Sequence, residues 1–172
     1  MAEQYHEALM RRLKMIENIP APEIPKPASR SYQLPQVNTA VGMGSGGTDV
    51  DRFINSIAKK ESGGNYGAVN RQSGAMGKYQ VLPSNIASWS KQTLGYSVTP
   101  QQYLANPQLQ DAIAQAKLRE YYSRYGAAGA AVAWYAGEGN AQKYVKNPNG
   151  GWGKPQNGYP SIAAYVQAIL RG

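Results

Sequence analysis

Apolar residues between positions 49 and 64 recur at intervals of three and four, the spacing of a helix with one buried face. Thr48 or Asp49 can cap the start of this helix, and acidic residues in its first turn suit the positive end of the helix dipole. Gly63 and Gly64 follow and favour its end. The apolar face consists of Val50, Phe53, Ile54, Ile57 and Ala58.

If the helix continues for one more turn, the next position on its apolar face is Glu61. A carboxylate aimed at the interior is destabilised by the loss of water unless it is paired or protonated, and a raised pKa is what a general acid requires. A simpler interpretation stands beside this one: Glu61 lies at the rim of the core, or pairs with Lys60 or Arg71. The spacing leaves both open.

The chain after residue 82 is predicted to be mainly α-helical, because no alternating strand pattern exceeds a few residues. One helix is capped by Ser84 and stops at Gly95, and a longer one runs from Pro107 to Gly126. A small-residue helix follows over 127–136, and the Gly- and Asn-rich segment 137–159 is predicted to be a loop. The closing helix over 161–171 turns one face inward, formed by Ile162, Tyr165, Val166, Ile169 and Leu170.

The first 48 residues differ in composition from the rest. Residues 3–17 carry an amphipathic helical stripe, and residues 19–48 hold five prolines and then a Gly/Ser-rich tail. We therefore predict an N-terminal amphipathic docking helix (1–18), a Pro/Gly-rich linker (19–48) and a globular domain (49–172). Because a helix this short is marginal in water, the N-terminal segment is either a docking helix for a partner protein or a frayed leader.

Composition narrows the chemistry. The chain has no cysteine, and its single histidine, His6, lies in the N-terminal segment. This excludes disulfides and Ser-His or Cys-His nucleophiles, makes a zinc site improbable, and leads us to expect no cofactor. The net charge is +8, and 13 basic but only six acidic residues lie from Asp49 onward. Such a domain suits an anionic polymer: cell-wall glycan, nucleic acid or phospholipid headgroups.

The pattern of aromatic and amide residues suits carbohydrate. Thirteen tyrosines stand against one phenylalanine, which favours a wet groove, although tyrosines also serve in cores. Most glycosidases use two carboxylates. The acids after Glu61 are Asp111, Glu120 and Glu138. None shares a local motif with Glu61, although the turn that carries Glu138 can approach it in space, so a single acid would have to act twice.

Three stretches carry a resemblance to a known family. E-S-G-G-N-Y at 61–66, G-A-M-G-K-Y-Q-V-L-P at 74–83 and A-W-Y-A-G-E-G-N at 133–140 resemble, in order and spacing, the signature motifs of lytic transglycosylases of the soluble, goose-type-lysozyme-like family. The Tyr-Val pair at 165–166 is similar to the last motif of that family. The resemblance covers residues 49–170 and implies a lysozyme-like helical domain with a glycan groove.

The resemblance also implies roles for individual residues. Glu61 matches the single catalytic acid and base of the family, and Ser62 the small hydroxyl beside it. Gln80 matches the amide that contacts the sugar or orients the bond. Tyr165 matches the tyrosine that hydrogen-bonds the catalytic carboxyl.

Two pairs depart from the motifs. Trp134 and Tyr135 stand where the family usually has Tyr-Asn, and Lys78 and Tyr79 replace an apolar pair before Gln80. Within the matched stretches, we expect Ser62, Tyr79, Gln80, Trp134, Tyr135, Glu138 and Tyr165 to bind substrate.

The implied reaction is cleavage of the MurNAc-β-1,4-GlcNAc bond of peptidoglycan, with Glu61 as acid and then base. Attack by the C6 hydroxyl gives a 1,6-anhydro product, whereas attack by water would make the same site a lysozyme. A binding or structural module with a decayed site is the alternative. A nucleic-acid binder would rest on charge alone and is not expected.

Residues 1–18 lack the apolar core of a signal peptide, and no later stretch is long enough to span a bilayer. We therefore expect synthesis in a host cytoplasm without an export signal. A wall-cutting enzyme of this kind has to be carried to its substrate, which suggests a phage particle whose tail or internal proteins hold residues 1–17, with action in the periplasm or cell wall. A lysis-stage endolysin is the alternative context.

Overall fold

The structure is a computed structural model that describes residues 48–155 and 159–172. The predicted docking helix at 1–18 and the linker up to residue 47 lie outside the described residues and stay predictions. The described part contains six α-helices, which we number α1 to α6. None of them is long and apolar enough to cross a membrane.

Helix α1 spans Asp49–Ser62 and begins with a capping box. The Thr48 hydroxyl accepts from the backbone N–H of Asp51, and the Asp51 carboxylate accepts in return from the Thr48 backbone, so two N–H groups at the helix end are satisfied. Gly63 ends the helix in the left-handed conformation, with φ of 66°. The buried face is the predicted one: Phe53, Ile54, Ile57 and Ala58 are buried and Val50 is half-buried.

Helix α2 spans Pro83–Leu94, and α3 spans Pro100–Ala105. The predicted cap of α2, Ser84, was wrong, since the capping position lies two residues earlier, at Leu82, and Pro83 is in the first turn. Proline suits that place because the first N–H groups of a helix have no partner inside it. Helix α3 has six residues and begins with a capping box between Thr99 and Gln102.

Helix α4 spans Pro107–Ala136 and packs against all five of the other described helices. It is broken at Gly126, whose φ of 67° and ψ of 176° are not helical, so the predicted helix end at this glycine is confirmed. The part before the break buries Ile113 and Leu118, and the part after it buries a run of small residues from Gly129 to Ala133. Both parts contribute to one hydrophobic core together with buried residues of α1 and α6.

Helix α5 spans Glu138–Lys146, where the sequence predicted a loop, so this prediction was wrong. The glycine and asparagine content of the segment disfavours a helix locally, but packing on α4 overrides it. Ala141 is completely buried, and a Cβ atom added to Gly129 would lie only 2.9 Å from Cγ2 of Val145. The close approach of α4 and α5 therefore depends on a glycine of α4, outside the α5 segment itself.

Helix α6 spans Ile162–Leu170 and is capped by the Ser161 hydroxyl, which accepts from the N–H of Ala164. Tyr165, Val166 and Ile169 are buried, whereas Leu170 is exposed, which corrects its predicted place on the inner face. Between α1 and α2, the described chain shows two isolated β-bridges, Val69–Met76 and Met76–Val81. The prediction of a mainly helical domain is confirmed.

Candidate active site

Glu61 lies in the last turn of α1, directly before the Gly63-Gly64 turn, and its side chain is largely buried. The hydroxyl of Tyr165 donates a hydrogen bond to its Oε1 atom. Burial raises the pKa of the Glu61 carboxyl above its ordinary value, while the Tyr165 hydrogen bond and the positive charge of Lys60 act in the opposite direction. In the described part of the chain, Glu61 forms no ion pair with Lys60 or Arg71.

Tyr165 is buried on α6, so its phenol is held firmly against Glu61. Its ring stacks on that of Tyr135, with 4.3 Å between the ring centroids and an angle of 13° between the planes. The hydroxyl of Tyr135 in turn donates to the carbonyl oxygen of Pro160 at 2.7 Å. Burial and the negative charge of Glu61 raise the pKa of Tyr165 well above its ordinary value, so this phenol is a hydrogen-bond donor throughout the neutral pH range.

Ser62 and Gln80 fix the backbone of the segment between α1 and α2. The Ser62 hydroxyl donates to the carbonyl oxygen of Lys78 at 2.7 Å. Gln80 has a φ of 51°, the one positive value found for a described residue other than glycine, and its Nε2 donates to the carbonyl oxygens of Gly77 at 3.0 Å and Ala68 at 3.4 Å. A backbone held in this disfavoured region marks a place where the surrounding structure overrides local preference.

The structure corrects the expected role of Tyr79 in substrate binding. Its side chain is completely buried, and its hydroxyl donates to Oδ1 of Asp111 at 2.8 Å and accepts from Nε2 of Gln115 at 3.0 Å. Burial is the main reason that the pKa of Tyr79 rises to about 12. Tyr79 is therefore a core residue with a satisfied hydroxyl.

Two further predicted residues have partners of their own. Trp134 is half-buried and lies against Trp89, with 5.5 Å between the ring centroids. Glu138 accepts a hydrogen bond from Arg124 at 3.2 Å, and the described contacts of Glu61 do not include it. The expected approach of Glu138 to Glu61 is therefore not seen among these contacts.

A family model for the transglycosylase SLT domain matches residues 46–156, which is more than half of the chain. The chain belongs to this family. The SLT domain is a lysozyme-like helical domain, and its family acts on peptidoglycan as lytic transglycosylases. Comparisons with curated proteins and with solved structures gave no significant match.

The SLT domain also contains a polar cluster that the sequence did not predict. Asp111, on α4, accepts hydrogen bonds from Tyr66 at 2.7 Å, Tyr79 at 2.8 Å and Lys78 at 3.2 Å. Burial alone would raise the pKa of the Asp111 carboxyl, but these three donors outweigh it and hold the pKa below its ordinary value. The available signal was the pair Lys78-Tyr79, which places polar groups where the family motif has apolar ones.

No described residues of the SLT domain form a group of three or more His, Cys, Asp or Glu side chains suited to a metal ion. Next to the Glu61 carboxyl, the structure places the phenol of Tyr165 in hydrogen-bond contact and the ring of Tyr135 stacked on that of Tyr165. Burial raises the pKa of the Glu61 carboxyl, whereas hydrogen-bond donors and cations lower the pKa values of Asp51, Asp111 and Glu120.

Proposed function

We propose that this SLT domain cleaves the MurNAc-β-1,4-GlcNAc bond of peptidoglycan with Glu61 as its single acid and base. The observation that carries this proposal is the environment of Glu61: a largely buried carboxyl with a raised pKa, held by one buried phenol. A raised pKa favours the protonated form of Glu61, which is the form that a general acid requires.

In the proposed first step, protonated Glu61 gives its proton to the glycosidic oxygen, and the bond from this oxygen to C1 of MurNAc breaks. The acetamido oxygen of MurNAc bonds to C1 and carries the positive charge as an oxazolinium ion. Glu61 is then a carboxylate, and the hydrogen bond from Tyr165 stabilises its charge. No second protein carboxylate is needed to hold the intermediate.

In the second step, the Glu61 carboxylate takes the proton of the C6 hydroxyl, and O6 attacks C1 as the acetamido oxygen leaves. The product is a 1,6-anhydro sugar, and Glu61 is protonated again, so the atoms and charges balance. The hydrogen bond from Tyr165 lowers the pKa of Glu61 from the value that burial alone would set. The carboxyl can therefore both release and recover its proton. Attack by water in place of O6 would give a hydrolytic muramidase instead.

Other predicted residues have supporting roles in this proposal. Tyr135 orients Tyr165 through ring stacking, and its hydroxyl is anchored on Pro160. Ser62, which follows Glu61 in the chain, and Gln80 hold the backbone between α1 and α2. The half-buried ring of Trp134 is suited to stack on a sugar face.

The test is mass spectrometry of muropeptides released from purified sacculi. Wild-type protein is expected to give anhydro-muropeptides, and Glu61→Gln should lower their release by about 10²- to 10⁴-fold without loss of the fold. Glu120→Gln is the matched control, because Glu120 is half-exposed and pairs with Lys117 and Arg124. Full activity of Glu61→Gln would refute the assignment. Reducing ends would indicate a lysozyme, and binding to sacculi without products would indicate a structural module.

We further propose that the protein is carried in a phage particle, with residues 1–17 docked to tail or internal proteins. The amphipathic pattern of this segment and the Pro/Gly-rich stretch after it support the proposal. Immunodetection on purified particles tests it: the full chain should be present in intact virions, whereas a chain lacking residues 1–17 should be absent from them. Equal incorporation of both chains would contradict the proposed docking.

A further inference from the structure

Residues 63–82, which we call the α1–α2 segment, are held against α4 by side chains from two consecutive positions on that helix. Gln110 is completely buried; its Oε1 accepts from the N–H of Lys78 at 2.8 Å, and its Nε2 donates to the carbonyl oxygen of Tyr66 at 3.0 Å. Asp111, the next residue, accepts from three side chains of the segment. Both ends of the α1–α2 segment are thus tied to one turn of α4.

The ion pair of this cluster is partly sheltered from solvent. The Lys78 ammonium donates to Oδ1 of Asp111 at 3.2 Å and to the hydroxyl of Tyr66 at 3.1 Å, and the side chains of Lys78 and Asp111 are 19% and 34% exposed. It also lies 4.9 Å from the ring centroid of Tyr66 and 5.1 Å from that of Tyr79. The Asp111 carboxylate has three hydrogen-bond donors, so fewer arrangements of the surrounding side chains satisfy it than would satisfy an exposed ion pair. It therefore fixes the positions of its donors more firmly.

Lys78 also connects the cluster to the residues beside Glu61. Its carbonyl oxygen accepts from the hydroxyl of Ser62, the neighbour of Glu61 in the last turn of α1. The carbonyl of the preceding residue, Gly77, accepts from the side chain of Gln80 at 3.0 Å. A displacement of the Lys78 backbone would therefore move the support of Ser62 and the anchor of Gln80 together.

We propose that Asp111 is a positioning residue of this enzyme: through Lys78, Tyr66 and Tyr79 it sets the place of the α1–α2 segment relative to Glu61. This inference rests on the proposed function for its catalytic consequence, while its structural part can be measured separately. Asp111 itself touches no reacting atom in the proposed reaction. Its effect on the rate passes through the backbone that Ser62 and Gln80 share.

The experiment compares wild type with Asp111→Asn, which keeps the size of the side chain but removes its charge. The matched control is Arg119→Gln, which removes an exposed ion pair between α4 and Asp51 of α1. Turnover and KM are measured on soluble, uncrosslinked glycan strands well below the melting temperature of each variant. We expect kcat of Asp111→Asn to fall about tenfold or more with little change in KM, and kcat of the control to stay within about twofold.

Amide hydrogen exchange gives a readout that does not depend on activity. The N–H groups of Lys78, Gln80 and Val81 are hydrogen-bonded in the segment. They should exchange about tenfold faster in Asp111→Asn, while buried amides of α4 stay protected. If Asp111→Asn does not fold, Lys78→Met takes its place, because Tyr66 and Tyr79 can still donate to Asp111 in that variant.

The outcomes separate the two proposals. A lower melting temperature with unchanged kcat and unchanged exchange in the segment means a merely structural ion pair and overturns the inference. Inactive wild-type protein, or an active Glu61→Gln variant, refutes the proposed function instead. In that case faster exchange of the segment amides still supports the positioning by Asp111, and unchanged exchange still overturns it.

Discussion

Replacing Tyr165 by Phe removes a single oxygen atom, the one that donates to Glu61. The ring of Tyr165 is buried and stacks on Tyr135, so the Phe ring should occupy the same place and leave the packing intact. The variant therefore tests the hydrogen bond to Glu61 and little else.

The magnitude follows from the charge of the acceptor. A hydrogen bond to a charged group contributes about 1.5–3 kcal/mol. If the bond stabilises Glu61 in the transition state, in which the carboxyl becomes negative, its loss corresponds to a decrease of about 10- to 150-fold in kcat. The bond also lowers the pKa of Glu61, whereas burial raises it. The variant keeps the burial and loses the bond, so its Glu61 pKa should be higher than that of wild type.

The assay is the pH dependence of kcat and kcat/KM on soluble glycan strands, with the anhydro product quantified by mass spectrometry. Activity should fall on the alkaline side as Glu61 loses the proton that it donates. In Tyr165→Phe the maximum should be lower, and this alkaline limb should lie at higher pH than in wild type. At high pH the lower maximum reduces the rate, whereas the shift of the alkaline limb increases it. A general loss of folded protein would lower the rate but would not shift this limb.

Tyr125→Phe is the matched control, because the Tyr125 hydroxyl is buried and has no hydrogen-bond partner among the described residues. It should leave both the rate and the alkaline limb unchanged. A Tyr165→Phe variant with wild-type kcat, or with an alkaline limb at lower pH, would refute the role assigned to the phenol.

Three further predictions concern stability and involve Gly77, Gln80 and Glu61. Gly77→Ala should lower the free energy of unfolding, measured by chemical denaturation, by about 2 kcal/mol or more. The reason is that the Gly77 φ is 77° and an added Cβ would lie 2.2 Å from Oε1 of Gln110. An alanine variant as stable as wild type would contradict this prediction. Gln80→Ala should be less stable than Gln80→Gly by about 1 kcal/mol, because both variants lack the side-chain amide but only glycine adopts a positive φ without strain. An alanine variant more stable than the glycine variant would contradict this prediction. The raised pKa of Glu61 contributes to the free energy of unfolding at low pH, and this contribution is lost as the pH rises through the folded-state pKa. The free energy of unfolding of Glu61→Gln should therefore increase relative to that of wild type between acid and neutral pH. A difference that stays constant with pH would show that the carboxyl is not desolvated.

The parts of the fold that the sequence predicts are those determined locally. The sequence offered Thr48 or Asp49 as the cap of α1, and the structure shows Thr48. The apolar spacing after it predicts the buried face of α1 and the inward direction of Glu61. Gly126 interrupts α4 because its backbone adopts a conformation that other residues disfavour. Each of these features depends on residues within a few positions of one another.

The features that were missed depend on distant contacts. Helix α5 forms because Ala141 and Val145 pack on small residues of α4, which no local pattern of α5 reveals. Asp111 and Lys78 are 33 positions apart, so nothing in the sequence around Asp111 indicates its partner. Tyr79 stands in one of the three stretches that resemble the family motifs, and we expected it to bind substrate, yet its side chain is buried in the core and its hydroxyl donates to Asp111.

The contact between Glu61 and Tyr165 also determines when the proposed activity can begin. The two residues lie 104 positions apart, so a nascent chain that has emerged from the ribosome only as far as α5 contains the carboxyl but not the phenol. Until α6 docks, water reaches that carboxyl, and a hydrated glutamic acid is ionised at neutral pH and has no proton to give. The proposed acid chemistry therefore appears only after the last of these helices has folded into place.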